Sequence, residues 1–134
     1  MRRWLWVVAA AASAAARAQA PPDPDPWFGP DKAVHFGVSA GIASGAYGLA
    51  GLLPGSSEGL RLVVGGSTAL AVGVAKELLD LTIGLGTPSW KDFTWDVAGT
   101  AIGLAVTWAV DRWVVQPLLL ALQPRPVRVA ANAR

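Results

Sequence analysis

The sequence predicts an all-α protein, an up-down bundle of three helices joined by short hairpin connections. Three observations carry this reading: three long apolar segments between residues 31 and 115, a Pro or Gly breaker after each, and no run alternating with period two as a half-buried strand does. The first helix is expected from about Asp31 to Leu53, opened by Pro30 and Asp31 and stopped by Pro54 and Gly55. The second runs from about Ser57 to Ile83, where Gly84 and Gly86 end it. The third starts at Ser89, with Ser89-x-x-Asp92 reading as a capping box, and stops near Val115 ahead of Pro117.

Flanking segments divide the rest of the chain. Residues 1–20 carry the three parts of a secretory signal: Arg2 and Arg3, an apolar stretch from Trp4 to Ala16, and the small-residue sequence Ala18-Gln19-Ala20. That stretch is 13 residues, too short against the roughly 20 needed to span a bilayer, so cleavage after Ala20 is expected. Residues 21–30 hold a proline at nearly every second position and form a linker, residues 31–116 the helical domain, and residues 117–134 a tail expected to fray.

Charge and composition exclude several function classes. Arg2, Arg3 and Arg17 leave with the signal, so eight Lys and Arg face 9 Asp and Glu in the mature chain. No basic groove with interleaved aromatics remains, which argues against a nucleic-acid partner. The chain has no cysteine, hence no disulfide, thiolate metal site, Cys nucleophile or lipid-modified N-terminal Cys.

Charge placement favours a bundle embedded in a membrane. The uncharged stretches in the second and third segments, 62–75 and 97–110, are 14 residues each, about 21 Å of helix against a hydrocarbon core of about 30 Å. An up-down-up path gathers Asp31, Lys32, His35, Lys76, Glu77, Asp80, Lys91, Asp92 and Asp96 at one end, and Glu58, Arg61, Asp111, Arg112 and the arginine tail at the other. A cleaved signal places the first end outside and the arginine-rich end in the cytoplasm, as the positive-inside rule demands. Trp27, Phe28, Trp90, Phe93 and Trp95 then mark the outer interface, with Trp108 and Trp113 near the inner one. Small residues at Gly41 and Gly45 in the first helix and at Gly99 and Gly103 in the third are expected to let helix backbones approach. The location implied is the inner membrane with the polar cluster facing the periplasm, or the periplasm itself for a soluble bundle.

The polar end is the candidate site. Asp31 and His35, Lys76 and Asp80, and Asp92 and Asp96 are i,i+4 pairs, so each helix offers one polar facet and antiparallel packing brings the three together. In a structural reading, Asp92 caps the third helix, Asp31 caps the first, Glu77 or Asp80 pairs with Lys32 or Lys91, and His35 bonds a carboxylate. In a functional reading, His35, Glu77, Asp80 and Asp96 ligate a divalent metal or handle a proton. There is no HExxH, no second histidine, no G-x-S-x-G elbow around Ser39, and no phosphate-binding loop.

The ordered set Asp31-Lys32-x-x-His35-Phe36, Ser39, Lys76-Glu77-x-x-Asp80 and Ser89-Trp90-Lys91-Asp92-Phe93-x-Trp95-Asp96-x-x-Gly99 resembles the YfiM-like family of predicted periplasmic lipoproteins, over about residues 31–103. A fainter similarity, in DK-x-x-HF and a later D-x-x-x-[ND]-x-x-G, links it to the VanZ-like membrane proteins. The resemblance implies export and a helical domain and marks His35, Glu77, Asp80, Asp92 and Asp96; the chain departs from it in lacking the lipid-bearing cysteine. Three functions stay open on the sequence. One is a non-enzymatic envelope protein whose cluster binds a membrane lipid or an envelope protein. Another is a metal-assisted hydrolase or transferase acting on an envelope lipid or phosphate-bearing precursor. The third is a transport subunit with a carboxylate proton relay, which would need a homo-oligomer. Cofactor and substrate stay undetermined by the sequence.

Overall fold

The structure is a computed structural model and describes residues 23–84 and 86–124; the signal segment and the last ten residues of the tail lie outside the described residues. Helix α1 runs Pro30–Gly51, α2 Glu58–Ile83 and α3 Trp90–Val110, and there is no strand among the described residues. Pro30 opens α1 with its fixed φ and missing N–H, behind Gly29 at the cap position. The Ser57 hydroxyl accepts from the Leu60 N–H at 3.2 Å to start α2. Gly84, at φ 67°, closes α2 in the left-handed conformation that an L side chain resists.

The third helix does not stop at Pro117. It widens into a π turn, Asp111–Val115, and continues as α4, Gln116–Leu122. The Gln116 N–H donates to the Asp111 carbonyl, five residues back. Placing the wide turn directly before Pro117 accommodates the ring, which lacks a donor and would crowd the carbonyl four residues earlier in a regular helix.

Helix α1 is the central member, packing most extensively on α3 and then on α2. Close approach is achieved by glycine, but only partly by the glycines expected. A Cβ on Gly103 would lie 2.5 Å from the Ala40 carbonyl oxygen, and one on Gly99 would meet the Phe36 Cα and C at 2.9 Å. On α2, Gly65 does the same against the Ala43 carbonyl. Gly41 and Gly45, expected to share this role, face open space. They sit two residues from the buried Ser39, Ala43 and Tyr47, which is about 200° round the helix.

The interior that results is small and polar. Its buried apolar side chains are Ala43, Tyr47, Ala50 and Ala69, alongside buried Lys32, Ser39, Asp80, Ser89, Asp92, Asp96 and Thr100. Large apolar side chains instead point outward, among them Val38, Leu49, Val63, Leu78, Leu81, Ile102, Val106 and Trp113. Two helical stretches are long and apolar enough to cross a membrane: α2, and Trp90–Leu122 taken as one helix, with mean hydropathy 1.5 and 1.3.

Candidate functional site

The site is organised by the N-terminus of α3. The Ser89 hydroxyl accepts the Asp92 N–H at 3.2 Å, which is one half of the capping box. The other half comes from elsewhere: the Ser89 N–H donates to Glu77 Oε2 of α2 at 2.7 Å. Asp92 is thereby released from reciprocal capping, and its carboxylate turns into the bundle. There Oδ1 accepts from Lys32 Nζ at 2.5 Å, while Oδ2 lies 3.4 Å from Lys76 Nζ and 3.5 Å from His35 Nε2.

His35 sits between two aspartates. Its Nδ1 is 3.0 Å from Asp96 Oδ1, and the same oxygen accepts from the Ser39 hydroxyl at 2.7 Å. Because a carboxylate can only accept, this contact places the ring hydrogen on Nδ1 and leaves Nε2 aimed at Asp92. Asp96 is 3% exposed, yet its Oδ2 has no hydrogen-bond partner, and Thr100 Oγ1, one turn deeper, has none either. Asp96 Oδ2 lies against Gly73, where a Cβ would approach it to 2.8 Å.

The lysines fill the spaces between acids, though not in the pairings expected. Glu77 and Asp80 meet Lys76 of their own helix, at 3.0 and 2.8 Å, rather than Lys32 or Lys91. Lys32 gathers Asp25, Asp31 (2.9 Å) and Asp92. Asp31 does not cap α1 through its side chain. Lys91 reaches Asp23 at 2.8 Å and the Asp25 carbonyl, and lies 5.8 Å from the centre of the Trp27 ring.

Sequence reasoning missed the part played by residues 23–28. This segment takes no regular structure, yet it lies across the polar end. Asp25 bonds Lys32 and the Ser89 hydroxyl, the latter at 2.7 Å. Trp95 Nε1 donates to the Trp27 carbonyl at 2.9 Å, and Trp27 meets Trp90 edge-on at 4.7 Å. Lys32 first, then Ser89, holds the Asp25 carboxyl below the usual carboxylate range, and Lys91 does the same for Asp23. The available signal was two aspartates close ahead of a cluster containing three lysines.

All nine residues expected at this end lie there, and six of them, Asp31, Lys32, His35, Lys76, Asp80 and Asp92, line a polar cleft of about 400 Å³ together with Asp25; Glu77, Lys91 and Asp96 join through their contacts with Lys76, Asp23 and His35. A second cleft, of about 250 Å³ between α1 and α2, has Val34, Val38 and Val72 for walls and reaches His35, Ser39 and Asp96. Seven carboxylates, counting Asp23 and Asp25, meet only three ammonium groups, so four negative charges are in excess when His35 is neutral. At the other end of the bundle, Asp111 accepts from Arg61 and from the Tyr47 hydroxyl, each at 3.1 Å. Compared with family models, curated proteins and solved structures, the chain gives no match.

Proposed function

We propose that this chain is a membrane-embedded protein of a bacterial cell envelope, related to the YfiM-like family. Its acid-rich end fastens the helices at the outer face and takes an amine-bearing lipid head group. The observation that carries the membrane reading is the inverted distribution of side chains, with charge inside and large aliphatics outside. In water, each fully exposed Leu or Val forgoes roughly 1.5–3 kcal/mol of burial. In lipid the same surface is matched to its solvent, and close packing of small residues replaces the hydrophobic drive between helices.

The excess negative charge of the polar cleft supports the head-group reading. An ammonium entering beside Asp31 and Asp80 meets acids whose lysine partners are already shared, while the aromatic cluster of Trp27, Trp90 and Trp95 suits the interfacial depth. Asp96 lies one turn inside α3, where an unmatched charge costs about 2.5–3.5 kcal/mol on insertion scales; the Ser39 and His35 contacts offset that cost.

Two measurements test this. A cytoplasmic reporter fused after Arg134 should be active, as should a periplasmic reporter inserted at Thr87 between α2 and α3; the reverse pattern refutes the orientation. The purified full chain, in chelator-containing buffer, should retain phosphatidylethanolamine in preference to phosphatidylglycerol by native mass spectrometry, and equal retention of both refutes the head-group assignment.

A further inference from the structure

We infer that His35, Glu77 and Asp92 form a binding site for one first-row divalent cation, with Asp96 as the positioning residue for the imidazole. One donor atom from each of His35, Glu77 and Asp92 lies within 4.8 Å of the other two. In each of these side chains one polar atom is held by a neighbour outside the trio, and among the described residues the remaining oxygens of Glu77 and Asp92 meet, beyond the trio, only the Lys76 ammonium, at 3.0 and 3.4 Å. His35 Nδ1 is fixed by Asp96 at 3.0 Å, Asp92 Oδ1 by Lys32 at 2.5 Å, and Glu77 Oε2 by the Ser89 N–H at 2.7 Å. A metal-bound histidine characteristically has its other ring nitrogen held in this way by a carboxylate.

Two further observations point to a cation at this place. Asp80, 7% exposed, has its Oδ2 in an ion pair with the Lys76 ammonium at 2.8 Å, so this buried acid already draws a cation to the place. The Lys76 ammonium is itself a cation set among Glu77, Asp80 and Asp92, on a flexible stem and 38% exposed. It marks the position and can swing out when a divalent ion enters. His35 Nε2 and Asp92 Oδ2, 3.5 Å apart, are both acceptors when the imidazole is neutral, and a metal ion between them turns that opposition into coordination. One nitrogen with two carboxylates suits Zn²⁺ or Mn²⁺ better than the all-oxygen preference of Mg²⁺ or Ca²⁺.

The inference does not depend on the lipid reading, so it is tested on the lipid-free full chain in detergent, titrated with Zn²⁺ and with Mn²⁺ by calorimetry, using Mg²⁺ as control. One ion per chain is expected. His35→Gln and Asp96→Asn should each weaken binding by about 10- to 100-fold, while Lys76→Met, which removes the competing ammonium, should tighten it. Absence of stoichiometric binding in both the wild type and a folded Lys76→Met variant overturns the inference, and so does binding indifferent to His35→Gln. If His35→Gln does not fold, Lys76→Met decides alone: tighter binding supports the site, and unchanged or weaker binding overturns it. A chain that binds phosphatidylethanolamine in chelator but no metal would lose this inference and keep the lipid reading; the converse result would do the opposite.

Discussion

Substituting Gly99 by alanine should separate α1 from α3 at the level where His35 and Ser39 meet Asp96. The new Cβ would sit 2.9 Å from the Phe36 Cα and C and closer still to its carbonyl oxygen. These are backbone atoms, which cannot rotate away. Restoring carbon contact to about 3.5 Å moves the helices apart by at least roughly 0.6 Å, and clearing the carbonyl oxygen requires more. Phe36 lies between His35 and Ser39, and Gly99 is three residues beyond Asp96, so the same shift acts on their contacts. The Ser39–Asp96 bond stretches from 2.7 Å and the His35–Asp96 contact from 3.0 Å, the latter to roughly 3.6 Å, beyond useful hydrogen bonding. Overpacking costs about 1–3 kcal/mol and weakening a bond to a charged group about 1.5–3 kcal/mol, so a loss of about 3 kcal/mol or more is expected. Gly41→Ala supplies the control, because its Cβ meets open space and alanine gains about 0.5–1 kcal/mol in a helix interior. Unfolding of both variants in mixed micelles, followed by circular dichroism, compares them directly. Equal stability of Gly99→Ala and wild type, or equal damage from Gly41→Ala, would refute the assignment of the packing face.

Three other outcomes follow from the polar end. Lys32→Met removes the ammonium shared by Asp25, Asp31 and Asp92 and should destabilise the bundle by about 3–5 kcal/mol, the cost of leaving buried charge unpaired; an unfolding midpoint near that of wild type would contradict it. Ser89→Ala loses the cap of α3 and should cost about 0.5–2 kcal/mol, with amide exchange accelerating at Asp92 first; uniform exchange across α3 would count against the cap. The folded-state carboxyls of Asp25 and Asp23 lie below their ordinary value of 3.8. Their contribution is therefore complete above pH 3.8 and is lost as pH falls through the lower folded values. Tryptophan fluorescence reporting the Trp27–Trp90 contact should stay constant from pH 7 to pH 5 and change only below 3.8; a transition above pH 5 would remove these two acids as the cause.

The order of the three long helices and the breakers between them were legible in the sequence because Pro30, Ser57, Gly84 and Ser89 act locally, each through its own backbone or cap geometry, whereas Pro117 did not end the third. The gathering of charges at one end was legible for a similar reason: three antiparallel rods leave no freedom in which end a residue occupies. Facing was less accessible. Gly41-x-x-x-Gly45 and Gly99-x-x-x-Gly103 look alike as patterns, and only the rotation of each helix about its axis separates an exposed pair from a packed one. Pairing was least accessible, since Lys32 and Lys76 each have several acids within reach of a long stem. The turn to Asp25 depends on how residues 23–28 lie across α3, which no periodicity encodes.

The two ends of the bundle differ in a way that bears on which of them binds. At the arginine end, Asp111 is matched by Arg61 and by the Tyr47 hydroxyl, and Arg61 has a second partner in Ser56 at 3.2 Å. Among the described residues, both oxygens of Asp111 are partnered, the second by Gln116 at 3.4 Å. At the opposite end the lysines are shared among more acids than they can neutralise: Asp80 shares Lys76 with Glu77 and Asp92, and one oxygen of Asp96 is buried without a hydrogen bond. A purely structural network would be expected to resemble the first end, because each unmatched buried carboxylate lowers stability without adding a contact. Retaining the excess where α1, α2 and α3 converge is accounted for by the positive ligand proposed above, which would sit at the polar end rather than along the apolar helix faces.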